Sequence, residues 1–505
     1  MVSIVVALLR NVMTEFRFFI LFLVPGALGS SVALGGPGAD SAHFLTSELR
    51  EYSHVFLTHV SENPGSPASA FGHVFLTFSK KSQPGPASLA LSFSASVDRG
   101  ISSWSYLYRG VTGGFMGTMT LEPLYRRLHE YTRVEQRSLV FFELKLDPSE
   151  HARLLESLGQ EGNLSFPYYF FTDNCSQRID EALNFATGAT DSGWNPYRLP
   201  LEVLRHHSPR FGEVYVAKPS GDRVNLAFDR LSLAERQELH RSDALLKGES
   251  PGLKEFFAEK AEHEFRNGRT LAEDYLRDTS MVYEEKPQIE PAPPYRPLPF
   301  RNERLTLKRF ESLRSRGSTR IEFRLASRDF LDVPDPWGRE MEFSLLKTEL
   351  SFEDAGLFQL ESLAIVRLRS FGEEGWLTTN PFAFSIELNR KNHRLSLTPE
   401  ISGGYGLPIL SSRSLRSAIL GGAGVVTGVR GLNGFVSIEA NSILRFGTRV
   451  SLVKTLEARQ YFGEGILMAR VLIQASLGRF RLAVGPDYET SSRKGSLVFQ
   501  FAGTL

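Results

Sequence analysis

The 505-residue chain holds a single cysteine, Cys175. That excludes an internal disulfide framework and every zinc or iron–sulfur site built on paired cysteines. Charge of one sign is also missing in total: 58 Lys plus Arg stand against 57 Asp plus Glu. The basic surplus of a nucleic-acid binder is therefore absent. Beyond the N-terminus no apolar run reaches the ~18 residues of a membrane-spanning helix. No P-loop, Rossmann fingerprint or GxSxG elbow occurs. Glu262-His263-Glu264 lacks the spacing of a HExxH zinc motif, and Glu284-Glu285 reads as a solvated charge pair rather than a glycosidase dyad. Neither a metal nor a cofactor is expected.

Hydrophobic residues make up 42% and charged residues 23%, enough apolar content to bury a core. The 38 Phe and 43 Gly suit a membrane β-barrel. The balanced charge conceals an asymmetry. Residues 301–505 hold 28 Lys and Arg, only five of them lysine, against 21 Asp and Glu; that leaves 30 against 36 for residues 1–300. The two parts read as different kinds of protein.

Phe18 to Val24 is a short apolar run behind Arg10 and Arg17, and Ser31-Val32-Ala33 is an acceptable cleavage site. This is the pattern of a secretory signal over 1–33, with the mature chain beginning near Leu34. Met13 is an alternative start. An uncleaved anchor would need a longer run. No cysteine follows the run, so the chain is not itself read as a lipoprotein.

Three sections follow. Residues 46–215 alternate β runs (54–60, 72–78, 89–93, 138–146) with helical segments, one from Pro148 to about Leu158 and one beginning near Cys175. In the second helix Ile179, Ala182, Leu183 and Ala186 are spaced for one buried face. This is an α+β pattern. Residues 216–300 read as helices (Leu231–Leu246, Leu253–Phe265, Leu271–Leu276) followed by a linker rich in proline from Pro287 to Pro299. From about Arg301, some twelve alternating runs separated by turn residues fill the rest of the chain: 304–312, 319–326, 340–349, 359–369, 382–389, 394–401, 415–427, 435–443, 449–457, 466–475, 480–484 and 496–502. Spacing of this kind predicts an antiparallel up-and-down barrel of outer-membrane type. A soluble β-sandwich or a filled barrel is the other reading. In Thr319-Arg320-Ile321-Glu322-Phe323-Arg324 the charges fall on alternate residues, as a polar lumen requires. Gly421 to Gly424 reads as a turn or a strand bend.

The chemistry centres on one thiol and one imidazole. Asp173 or Asn174 is a good N-cap, which places Cys175 in the first turn of a helix. There the unpaired N–H groups and the helix dipole favour a thiolate and can stabilise an oxyanion. An inert buried cysteine is the alternative. A thiolate nucleophile needs a base, usually histidine. Of the eleven histidines, His73 opens an apolar strand, where a polar ring needs a reason; His59, on a neighbouring strand, is the weaker candidate. A satisfied core histidine is again the alternative.

Taken together these segments resemble the Lnb N-terminal periplasmic domain family. Pro64-Gly65-Ser66 with Phe71-Gly72-His73, Tyr108 to Phe115, and Phe170 to Ser176 are similar to three of its ordered motifs. The order, histidine first and cysteine about a hundred residues later, also resembles the circularly permuted NlpC/P60 papain-like proteins. The resemblance covers roughly 50–200. It implies a papain-like α+β domain ahead of the helical segment and barrel. It further implies transfer of a fatty acyl chain from the diacylglyceryl group of a lipoprotein to that lipoprotein's own N-terminal amine, with Cys175 as nucleophile and His73 as base. The ring-orienting residue falls at Ser92, where relatives carry asparagine; Asn174 and His59 are the other options. Tyr168 and Phe170, with Gly113 and Gly114, would border an acyl pocket, or Tyr168 to Phe171 is simply core.

Three functions are open at this point. One is a cysteine acyltransferase acting on lipoprotein or phospholipid, anchored in the outer membrane with its catalytic domain in the periplasm. The second is a cysteine amidase or peptidase cutting cell-wall peptides. The third is a non-catalytic outer-membrane binding protein. No nucleic-acid partner is expected, and the oligomeric state is open.

Overall fold

A computed structural model describes most of residues 47–266 and 289–504. Outside it lie 1–46, 63–71, 97–100, 102–104, 106–108, 111, 162–165, 171, 190–197, 242–249, 267–288, 295–303 and most of the short connections between the C-terminal strands. The signal segment, the Pro64-Gly65-Ser66 motif, Phe71 and the helix expected over 271–276 are thus outside the described residues. By its internal contacts the chain divides into two compact units: 1–53 with 90–122 and 146–199, and 54–89 with 123–145 and 200–505.

The N-terminal region is a mixed α/β structure. Its strands are β1 (His54–Val60), β2 (His73–Ser79), β3 (Leu89–Ser96), β4 (Phe115–Pro123), β5 (Leu139–Leu144), β6 (Phe166–Tyr168), β7 (Phe211–Ala217) and β8 (Glu290–Pro291). In the second unit β1 lies antiparallel between β2 and β5, β5 continues to β7, and β7 to β8. Strands β1 and β2 are buried at six of their seven positions, which is why they read as continuous apolar runs instead of alternating ones. Across the two strands the buried Thr58 and Thr77 are joined by a 2.7 Å hydroxyl–hydroxyl bond. In the first unit β4 pairs antiparallel with β6. The helix Cys175–Thr187 buries Ile179, Ala182, Leu183 and Ala186 completely, about 1.5–3 kcal/mol for each of the larger two.

The helical segment holds one helix that the sequence reading did not include, ahead of the one expected from Leu231. A helix spans Ser220–Arg230, Leu231 is extended, and a new helix runs Leu233–Arg241. The break is a capping box: Ser232 Oγ accepts from Glu235 N at 3.3 Å, and Glu235 Oε2 accepts from Ser232 N at 2.7 Å. Leu231, Leu239, Leu253 and Phe256 share one small core with Val224 and Ala227.

The C-terminal part is a closed antiparallel barrel of twelve strands. They are β9 (Arg304–Ser312), β10 (Ser318–Arg328), β11 (Met341–Glu353), β12 (Phe358–Ser370), β13 (Phe382–Arg390), β14 (Leu397–Ser411), β15 (Leu415–Gly428), β16 (Gly431–Phe446), β17 (Val450–Tyr461), β18 (Glu464–Leu477), β19 (Phe480–Glu489) and β20 (Lys494–Thr504). β20 pairs with β9 and closes the ring. The barrel is turned inside out relative to a soluble one. Along β20, Leu497, Phe499 and Phe501 are 44–45% exposed while Val498 and Ala502 are buried. Along β19, Phe480, Leu482 and Val484 face out while Arg481 and Ala483 face in. Buried charge fills the interior: Glu322 takes Lys308 at 2.6 Å, Arg324 at 2.6 Å and Lys347 at 3.2 Å, and Arg459 reaches Glu400 at 2.6 Å. Apolar residues outside and charges inside are the pattern of an outer-membrane-type barrel. Gly421 to Gly424 is not a turn. These residues sit within β15, paired with Ser402 to Tyr405 of β14, and a Cβ on Gly424 would lie 2.4 Å from the Phe435 ring.

Candidate active site

The thiol and the imidazole fall in different compact units, and each half is built from its own neighbours. Cys175 is the first residue of its helix and is 5% exposed. Asn174 is the N-cap: its Oδ1 accepts from Gln177 N at 3.0 Å. The same side chain donates from Nδ2 to Phe170 O and to Arg198 O, both at 3.0 Å. Asn174 therefore closes the helix and straps two loops to it. Arg198 is held again through its guanidinium, which pairs with buried Asp180 on the next turn at 3.1 Å. Asp173, the other cap candidate, instead takes Arg178 in a two-point ion pair at 2.8 and 2.9 Å. Arg178 also lies 4.4 Å above the Phe166 ring. The backbone N–H of Cys175 donates to the Tyr168 hydroxyl at 3.4 Å, and Sγ stands 3.9 Å from Ser176 Oγ. The sulfur thus begins a helix whose positive end faces it, on a frame fixed from several sides.

The expected pocket residues mainly build this frame. Gly110 and Gly113 give up side chains so that aromatic rings can approach. A Cβ on Gly110 would lie 2.1 Å from the Phe170 ring, and one on Gly113, at φ +75°, 2.3 Å from the Tyr169 ring. Phe170 N donates to Gly110 O at 2.9 Å. Arg109 clasps Gly114 O with Nε and Nη2 at 3.0 and 2.9 Å. Tyr168 is buried and holds the Cys175 amide. Ser92 is buried on β3, its Oγ 3.0 Å from Thr120 Oγ1.

His73 opens β2 and is half-buried. Gly72 before it has φ +82°, and a Cβ there would lie 2.8 Å from both His59 Nε2 and Val60 O. Only glycine fits between the two histidines. His59 is buried on β1, opposite Val74 in the pairing. Burial, and then the guanidiniums of Arg137 and Arg127 and the ring of His59, lower the His73 pKa from 6.5 to about 3. The imidazole is therefore neutral at neutral pH and a weaker proton acceptor than an ordinary histidine. Tyr131 had no sequence signal, yet its ring lies 6.3 Å from that of His73 and stacks on Phe75. Arg137 sits 5.2 Å over the Tyr131 ring and is held by Ser61 O and Glu135, each at 2.6 Å. Burial raises the Tyr131 hydroxyl's pKa and keeps it protonated.

Residues 44–210 match the family described as the Lnb N-terminal periplasmic domain. The match takes in Cys175, His73 and the frame around each of them. No curated protein matches the chain. Among solved structures it is similar to the KdgM porin in complex with disordered oligogalacturonate (9% identity, 40% of this chain and 99% of that one, TM-score 0.27). It is also similar to the NanC porin (8%, 40% and 100%, 0.28) and to the β domain of the Bordetella autotransporter BrkA (10%, 40% and 98%, 0.22).

Proposed function

We propose that this Lnb-like protein is a cysteine-dependent acyltransferase that moves a fatty acyl chain within or onto a lipoprotein, or from a phospholipid, through a thioester on Cys175. In the first half-reaction Sγ attacks an ester carbonyl; the S–C bond forms and the ester C–O bond breaks. His73 takes the thiol proton and gives it to the departing alkoxide, leaving a lyso product. In the second, an amine attacks the thioester; the C–N bond forms, the C–S bond breaks, and the amine proton returns through His73 to sulfur. Atoms and charge balance without a metal or cofactor. Asn174 and Ser92 are the residues proposed to orient the site, and the Tyr168 and Phe170 rings to border the acyl chain. The permuted papain-like arrangement belongs to the same reading. So does the placement: barrel in the outer membrane, catalytic domain in the periplasm.

The observation that carries this reading is the seat of Cys175, a lone thiol at the first position of a capped helix inside the Lnb-type segment. Mass spectrometry of lipoprotein N-termini, from cells carrying the native protein or Cys175→Ala, is the test. N-acylated lyso forms should appear with the native protein and vanish with Cys175→Ala, while the barrel keeps its heat-modifiable mobility. Identical N-termini in both cells would overturn the proposal, and altered cell-wall peptides in their place would assign the thiol to an amidase.

A further inference from the structure

The interior of the barrel contains a second constellation that the thiol chemistry does not use. It lies toward the barrel end at which β9 begins and β20 finishes. A small cavity there is lined by Arg304, Arg324, Arg481, Thr306, Gln474 and Gln500, with Ala483 and Ala502 beneath. The strand register explains the opening. In one row Arg481, Ala502 and Thr306 are successive neighbours across β19, β20 and β9. In the next, Gln474, Ala483 and Gln500 are neighbours across β18, β19 and β20. The two alanines leave a hollow where a longer inward residue would have filled the space.

Its lining is one-sided in charge. Arg304, Arg324 and Lys347 stand side by side across β9, β10 and β11. Like charges directly opposite each other are unfavourable unless counter-charge is supplied. Glu322 supplies counter-charge to Arg324 and Lys347, together with Lys308. Among the described residues, no carboxylate lines the cavity itself. Two donors also lack hydrogen-bond partners among the described residues: Thr306 Oγ1, in a residue 1% exposed, and Gln474 Nε2, in a residue 4% exposed. Orphaned buried donors are costly and rare in folded proteins.

We infer that this cavity is a binding site for a small oxyanion, phosphate-like or carboxylate in character, held by guanidinium groups with Thr306 and Gln474 donating to its oxygens. Guanidinium forks match the paired oxygens of such anions. The site faces the lumen and not the lipid, so its ligand is a solute, free or the charged group of a larger molecule. The inference does not depend on Cys175 chemistry.

The test uses the full-length protein in detergent micelles, with inorganic phosphate and, separately, acetate as probes at constant ionic strength in chloride. Isothermal titration calorimetry should show saturable binding of one of them, close to one per chain. Arg481→Gln should weaken that binding about tenfold or more, and the near-isosteric Thr306→Val severalfold. Heat-modifiable mobility establishes that each variant has folded. Cys175→Ala should bind as the native protein does. If neither probe saturates, or if both folded variants bind as tightly as the native protein, the site does not exist.

Discussion

Protonation of His73 is the perturbation that tests the imidazole half of the site most directly. Burial and the neighbouring Arg137 and Arg127 lower its pKa from 6.5 to about 3. In the unfolded chain it returns to near 6.5. Between these values the unfolded chain carries a proton that the folded one does not, so stability falls as pH falls from 6.5 toward about 3 and is flat above 6.5. The slope is up to about 1.4 kcal/mol per pH unit, and the whole window is worth at most about 5 kcal/mol. That is an upper bound, because the half-buried ring keeps some contact with solvent. The assay is an NMR titration of ¹⁵N-histidine protein in micelles, from roughly pH 8 to pH 4, a span that brackets the ordinary histidine range. Signals assigned to His73 by their loss in His73→Gln should keep neutral-imidazole shifts to below roughly pH 5, well under an ordinary histidine. Pulse proteolysis of the N-terminal region over the same range should show His73→Gln to have a shallower loss of stability in acid. An ordinary midpoint near 6.5, or an unchanged acid slope in the variant, would refute the reasoning.

Gly72→Ala forces a Cβ into a φ of +82° and to within 2.8 Å of His59 Nε2 and Val60 O. It should cost about 1–3 kcal/mol before any clash is counted, seen as a lowered urea midpoint of the N-terminal region. Asn174→Ala removes a cap and leaves two carbonyls, Phe170 O and Arg198 O, without the amide that serves them. A loss of about 2–4 kcal/mol follows, with faster alkylation of Cys175 by maleimide as the loops loosen. Phe499→Arg puts a charge on the outward face and should cost about 2–4 kcal/mol in refolding into lipid bilayers if it sits near the bilayer midplane, whereas Gln500→Arg, on the opposite face, should cost far less.

The barrel was legible because its signal is local and repeated. Each of the twelve alternating runs became one strand, and the alternate charges of Thr319 to Arg324 point to a lumen that holds Glu322 and Arg324. The start of the Cys175 helix was legible for the same kind of reason, an Asp-Asn pair ahead of a periodic apolar face. Which of the two caps was not: that depended on Arg178 drawing Asp173 away. The strand Phe115–Pro123 escaped notice because its Gly117 and two methionines give no β signal; it is fixed by pairing with Phe166 to Tyr168. The helix expected from Leu231 starts two residues later because the Ser232–Glu235 capping box sets its first turn, and the helix Ser220–Arg230 before it was missed. Tyr131 beside His73 had no signature at all, since the two meet only through the fold.

Gly110 and Gly113 stand some sixty residues before the rings that press upon them. The two stretches behave as mould and cast. A bulkier residue in the first is admissible only alongside a smaller ring in the second, so the pair must drift together or hold still. Anyone wishing to carve extra room in this frame should begin by shrinking Phe170 or Tyr169 and leave the glycines alone.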